Sequence, residues 1–295
     1  MRTSHIGLAV AVAAVWGFNF VAIKVGLKDF PPILFCVLRF VLAATPLLFL
    51  GFRQGPPVAW RYVLGIGLFL GAIQFSLLFA GINIGMPAGL SSLVLQSQAF
   101  FTALFAAVVL GDRPSARQIL GMVVAFSGIG VIATEMPTGD SLLGLALLIG
   151  AAAAWGVGNI LMKQAKAPDL LRLMLWVSLV PPLPLLLLSY AVEGPERMAH
   201  ALTSLTLPGL AALAYIAGGA TLFGFAAWGF LLRHYPASLV APFSLLVPIF
   251  GMSSSALLLG EGFTPVKLIG ALLVFGGLAV AVLKLPALRP AANKA

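Results

Sequence analysis

Two stretches of this chain set polar and aromatic side chains inside otherwise apolar runs. In AAVWGFNFVAIKVGL (13–27), Trp16, Asn19, Phe20 and Ile23 follow i, i+3, i+4, i+7 and so share one helix face, with Lys24 closing the run. In AAAAWGVGNILMKQA (151–165), Trp155, Asn159 and Met162 do the same, and Lys163 closes it. An amide in an apolar setting must find a partner. Asn19 and Asn159 therefore bond each other or neighbouring helices, or they offer donors and acceptors to a zwitterionic small molecule. Arg39, inside FCVLRF, is the one basic residue well within an apolar run. Its two readings are a structural arginine bonded to carbonyls and a contact for a carboxylate or a gate. SSLVLQSQAFFT adds Gln96 and Gln98, with Ser91 and Thr102 on the Gln98 face and Ser92 on the Gln96 face. Two amides so close together are too costly to turn to lipid, so at least one should line a cavity. Gln74 and Phe75, Phe223 and Trp228, and Ser244 between Pro242 and Pro248 complete the candidate binding residues.

Other chemistries find no support in the sequence. The eight carboxylates and three histidines all fall at or beyond the end of an apolar run. Metal ligation and metal-dependent catalysis need such groups clustered, so no metal, no cofactor and no catalytic residue is expected, and the chain does not read as an enzyme. A proton-coupled pump needs a titratable group at depth, so movement down a gradient or by exchange is the expectation. The single cysteine, Cys36, is a packing residue.

The elements that must position these residues follow from composition. The chain of 295 residues is 61% hydrophobic and 8% charged, with mean hydropathy +1.10. A soluble domain carries roughly 25% charged residues. The class is therefore an all-α integral membrane protein, with the lipid bilayer as its surroundings. Continuous rather than alternating apolar runs exclude a β-barrel. Ten runs are long enough to cross: 6–26, 33–51, 62–83, 88–110, 117–134, 142–163, 170–192, 207–230, 238–259 and 266–284. The first begins like a signal peptide but is long enough to span, and is expected to be kept.

The net charge of +9 does not indicate nucleic acid, because the basic residues sit between the runs. With the N-terminus inside, Arg2, Arg53, Arg61, Arg113, Arg117, Lys163, Lys166, Arg172, Arg233, Lys284, Arg289 and Lys294 are cytoplasmic. Only Lys24, Lys28, Arg197 and Lys267 are external. Both termini are thus expected in the cytoplasm, in a multi-pass protein of the inner membrane.

The second half repeats the first. PAGLSSLVLQSQAFFTALF (87–105) aligns with PASLVAPFSLLVPIFGMSS (236–254), and LGDRPSARQILGMVVAFSGIGV (110–131) with LGEGFTPVKLIGALLVFGGLAV (259–280). A constant offset of 149 pairs Pro87 with Pro236, Phe101 with Phe250, Asp112 with Glu261, Gly121 with Gly270 and Gly128 with Gly277. The tryptophans pair at an offset of 139, so ten extra residues fall near EGPERMAH (193–200). Residues 1–136 and 137–295 then form two five-helix repeats. Because five is odd, the second enters the membrane inverted, the arrangement that builds two gates about a midplane site. The Gly-rich fifth and tenth helices should pack together across a pseudo-dyad or form a homodimer face, leaving a monomer or a homodimer.

The same residues resemble a known family. The Trp-Gly start, FCVLRF, GMPAGLSSLVLQSQAFFTALF, LGDRPSARQILG and LGEGFTPVKLIGALLVFGGL look like the EamA family of the drug/metabolite transporter superfamily, over essentially the whole chain. They are most similar to bacterial exporters of cysteine and O-acetylserine and of aromatic amino acids. The resemblance implies ten helices in two repeats, cytoplasmic termini, a central cavity and a small-molecule substrate, amino acids first. Members also carry other metabolites and nucleotide sugars. A nucleotide sugar would want several basic residues in the cavity, a drug-like cation a buried carboxylate, a lipid-modifying enzyme a polar cluster, and a channel a continuous polar stripe.

Overall fold

The computed structural model describes residues 1–50, 55–112, 114–136 and 140–282. The expectations for Arg53, Arg113, Lys284, Arg289 and Lys294 therefore lie outside the described residues. Among those described there is no β-strand. Nine helices are long and apolar enough to cross a membrane: α1 Thr3–Gly26, α2 Pro32–Phe49, α3 Trp60–Asn83, α4 Ala88–Leu110, α5 Ala116–Thr134, α6 Ser141–Ala165, α7 Leu170–Val192, α8 Leu207–His234 and α9 Ala241–Leu259. A shorter apolar helix, α10, follows at Pro265–Val282. The connection between α7 and α8 carries a surface helix, Pro195–Thr203, where the sequence holds its ten extra residues. The runs read from composition match these helices to within a few residues. The eighth differs most, running four residues on to His234, and the ninth begins at Ala241 because a separate short helix, Ala237–Val240, precedes it.

Local chemistry sets the boundaries. Ser115 and Gln118 form a capping box that starts α5. Asp169 accepts from the Arg172 N–H to start α7. Gly111 and Gly260, both in the left-handed region at φ 72° and 68°, end α4 and α9. Four helices are irregular inside. α3 widens to a π-helical turn over Gly67–Ile73 and α8 over Tyr215–Phe223. α4 tightens to a 3-10 turn over Leu95–Ser97, and α9 opens with one over Ala241–Leu245. Such turns free or redirect backbone carbonyls, and in a membrane they survive only where protein satisfies those groups.

Lipid offers no hydrophobic drive between helices, so close approach through small residues must hold the bundle. Gly17 of α1 lies so near α9 that a Cβ there would sit 2.5 Å from Phe250 Cβ and 2.7 Å from the Val247 carbonyl. Gly156 of α6 lies against α4 in the same manner, 2.8 Å from Phe101 Cβ. α5 and α10 pack on each other within the chain, with Gly121 against the Gly277 carbonyl and Gly128 against that of Gly270.

One face of the bundle is tied by carboxylates placed at helix starts. Glu193, buried at the end of α7, accepts from the Ile33 and Leu34 N–H groups of α2 at 2.7 and 3.0 Å, and Ser189 donates to it at 2.5 Å. Glu261 accepts from Ala88 and Gly89 of α4. Asp29 accepts from Thr206, whose hydroxyl caps α8, and Glu135 from Thr264, which caps α10. Each places a negative charge at the positive end of a helix dipole.

Two outcomes test this packing. Gly277→Leu should destabilise the detergent-solubilised protein by about 1–3 kcal/mol through overpacking, read as a lower midpoint in thermal size-exclusion. Gly276→Leu, whose Cβ meets open space, should leave the midpoint where it is.

Candidate functional site

The interior polar groups divide into those that satisfy one another and those that do not. Asn159 of α6 donates from Nδ2 to Gln98 Oε1 at 2.7 Å and to Thr102 Oγ1 at 2.9 Å, and Thr102 donates back to the Gln98 carbonyl. Gln96 of α4 donates to the Ser244 carbonyl of α9 at 2.9 Å, while the Ser244 hydroxyl is spent on Ala241. These groups tie α4 to α6 and to α9. Asn19 and Asn159 do not bond each other.

The second set includes Arg39. It is 3% exposed, eight residues into α2. Its Nε donates to Thr221 Oγ1 of α8 at 3.2 Å, and its guanidinium lies 3.8 Å from the centre of the Phe75 ring of α3. The Thr221 proton goes to the Ile216 carbonyl, five residues back within the π-helical turn, so its oxygen is left to accept from Arg39. Nη1 of Arg39 is buried with no partner. No carboxylate pairs with Arg39 among the described residues, where the ion pair seen is Lys163–Asp112. Gln74, next to Phe75 and 1% exposed, has neither amide atom bonded. Asn19 Oδ1 and Ser97 Oγ are also buried and unpartnered. A buried amide or hydroxyl left unmade costs about 1–3 kcal/mol, and a buried unpaired charge more.

Aromatic side chains flank this set. Trp16 of α1 donates from Nε1 to the Ala220 carbonyl of α8 at 2.9 Å, and its ring meets Trp228 at 5.2 Å and Phe225 at 5.7 Å. Phe20 is buried in the main core, and Trp155 is half-buried and packs against both of the two larger clusters. Phe223 is 43% exposed and stands apart from the tryptophan pair.

Three contributors escape a sequence reading: Thr221, Phe225 and Tyr215, whose hydroxyl donates to the Val15 carbonyl. All lie in or beside the wide turn of α8, where counting faces at 3.6 residues per turn goes out of step. The alternation of Gly, Ala and Thr in YIAGGATLF is the available signal.

Two surface cavities lie at opposite ends of the bundle. One, of about 360 Å³, is lined by Lys28, Asp29, Asn83, Glu196, Arg197 and His200, among others. The other, of about 600 Å³, is lined by Arg61, Tyr62, Leu161, Gln164 and Lys166. No group of three or more His, Cys, Asp or Glu comes together among the described residues.

The chain is 41% identical to the probable amino-acid metabolite efflux pump of Escherichia coli (strain K12) and 42% to that of Salmonella typhimurium, each over 93% of both chains. It is 26% identical to a probable terminal-alkyne amino-acid exporter of Streptantibioticus cattleyicolor, over 94% of this chain and 93% of that one. A solved crystal structure of a protein 19% identical shares the fold, with a TM-score of 0.64 over 95% of this chain and 98% of that one. The model of the EamA-like transporter family matches twice, at residues 3–134 and 142–283. With that match over nearly the whole of its length, the chain belongs to the EamA-like transporter family.

Proposed function

We propose that this transporter exports amino acids and related small metabolites from the cytoplasm across the inner membrane. The substrate class rests on relatives whose names carry it and on one observation of the interior: among the described residues Arg39 is a buried cation without a counter-charge, and amide atoms of Gln74 and Asn19 are buried without partners. A zwitterion supplies what is missing. Its carboxylate accepts from Arg39, and its ammonium donates to Gln74 Oε1 and Asn19 Oδ1. The Phe75 face and Trp155 give an apolar wall for the side chain, as expected of a largely apolar site with a few convergent polar groups. Gln96, Gln98, Asn159 and Ser244 hold the helices around it, and Trp16, Phe20 and Trp228 brace α1 against α8.

The reading includes ten crossing helices in two inverted repeats, 1–136 and 137–295, with cytoplasmic termini. Recurring irregularities favour it. The wide turns of α3 and α8, the tight turns of α4 and α9, and the left-handed glycines 111 and 260 recur at nearly the repeat offset. The glycine contacts of α1 with α9 and of α6 with α4 recur as well. Such a pair of halves around one site operates by alternating access. Because the described carboxylates lie at helix ends, substrate moves by facilitated diffusion or exchange.

Purified protein in proteoliposomes should release preloaded neutral amino acids, and a panel of the twenty in which none moves would refute the substrate class. Arg39→Gln should cut flux about 10- to 100-fold, the worth of one charge-assisted bond, and amino-acid amides lacking the carboxylate should fail to compete. An imposed pH gradient should not drive accumulation against a substrate gradient.

A further inference from the structure

We propose that Glu261 and Asp112 are paired latches on helix starts, one made and one open in this structure, whose exchange sets which face of the site is accessible. The proposal rests on the alternating-access reading. Glu261 follows the left-handed Gly260 that ends α9, and its two oxygens accept from Ala88 and Gly89 at 2.7 and 2.9 Å. Ser255 reinforces the latch, accepting from Gly89 at 3.1 Å and donating to Glu261. Gly89 permits the approach, since a Cβ there would lie 3.2 Å from both Met252 Cα and Ser255 Cβ. The start of α4 is thereby locked to the end of α9.

Asp112 stands at the repeat-related position, after the left-handed Gly111 that ends α4. The repeat-related helix start is that of Ala237–Val240, but no hydrogen bond joins Asp112 to it. It pairs instead with Lys163 at 2.5 Å, and both side chains are more than half exposed. A pair so open to water contributes little and is easily given up. Lys163 has its own counterpart in Lys24, which here donates to the Ile82 carbonyl at 3.2 Å and meets no carboxylate.

The other state follows by exchanging roles. Asp112 leaves Lys163 and accepts from the Ala237 and Ser238 N–H groups, while Glu261 leaves α4 and pairs with Lys24. Neither carboxylate is stranded in either state, because each passes between a helix start and a lysine. The latches are unequal, since the position matching Ser255 is Ala106, which has no hydroxyl. The Glu261 latch therefore carries an extra bond, which favours the state seen here.

The test uses the full chain in lipid, with Cys36→Ala removing the only native cysteine, and spin-label distances. One label pair, Asn83→Cys with Gly262→Cys, spans the made latch, and a second, Ala116→Cys with Arg233→Cys, spans the open one. Glu261→Gln should lengthen the first distance and shorten the second, changing the population ratio on the order of tenfold, as for loss of a strong cap. Should Glu261→Gln fail to fold, Ser255→Ala should give a smaller shift in the same direction, and so should Ala106→Ser. Unchanged distributions in the variants, or a longer first distance with no change in the second, would overturn the latch exchange. A parent protein locked in one distribution at both pairs, with and without saturating amino acid, would instead overturn alternating access itself.

Discussion

In hydrocarbon there is no water to complete a polar group, so every donor and acceptor must be met by protein or left to a ligand. That constraint sorts this molecule. Many serines and threonines within the helices turn back to carbonyls of the preceding turn, as Ser91 does to Pro87 and Ser178 to Met174, while Ser189 and Ser255 donate to carboxylates. The amides of Gln96, Gln98 and Asn159 are consumed between helices. Against this background, the unmet atoms of Arg39, Gln74, Asn19 and Ser97 stand out. Stability alone would have removed them, since an apolar residue in each place costs less.

The scaffold that keeps these atoms apart from one another's help depends on backbone irregularity and on glycine. The wide turn in α8 frees the Ala220 carbonyl for Trp16 and turns the Thr221 hydroxyl so that its oxygen faces Arg39. Glycines let α1 and α9, and α5 and α10, meet nearly backbone to backbone. Rigid contacts of this kind move as bodies rather than deform.

Much of this was legible in the sequence, for a physical reason. Continuous apolar runs have one solution in lipid, so the helices could be placed to within a few residues. Arg39 stands out as the one basic residue well inside such a run, though the sequence alone leaves a structural arginine bonded to carbonyls as open as a site residue. The face assignments were less secure. The sequence offers Phe223 with Trp228 simply as aromatic residues of the eighth run, and the π-helical turn of α8, across which a count at 3.6 residues per turn drifts, hides the parts played by Phe225 and Thr221. The 3-10 turn of α4 likewise sent Gln96 to a carbonyl of α9. Glu193 was read as an end residue, and so it is. That its carboxylate reaches back to cap α2 depends on the packing of α7 on α2, which no local pattern encodes.

The burial of Arg39 also bears on how the transporter meets the membrane voltage. Each elementary charge that crosses the full field exchanges about 2.3 kcal/mol per 100 mV. Among the described helices Arg39 is the charged residue that lies deep within a span, and it travels with the protein rather than the cargo. A zwitterion seated against it carries both of its charges across together and transfers none. On the uncoupled transport proposed above, departure of such a cargo is neither helped nor opposed by an interior-negative potential, and its concentration on each side sets the direction of flow.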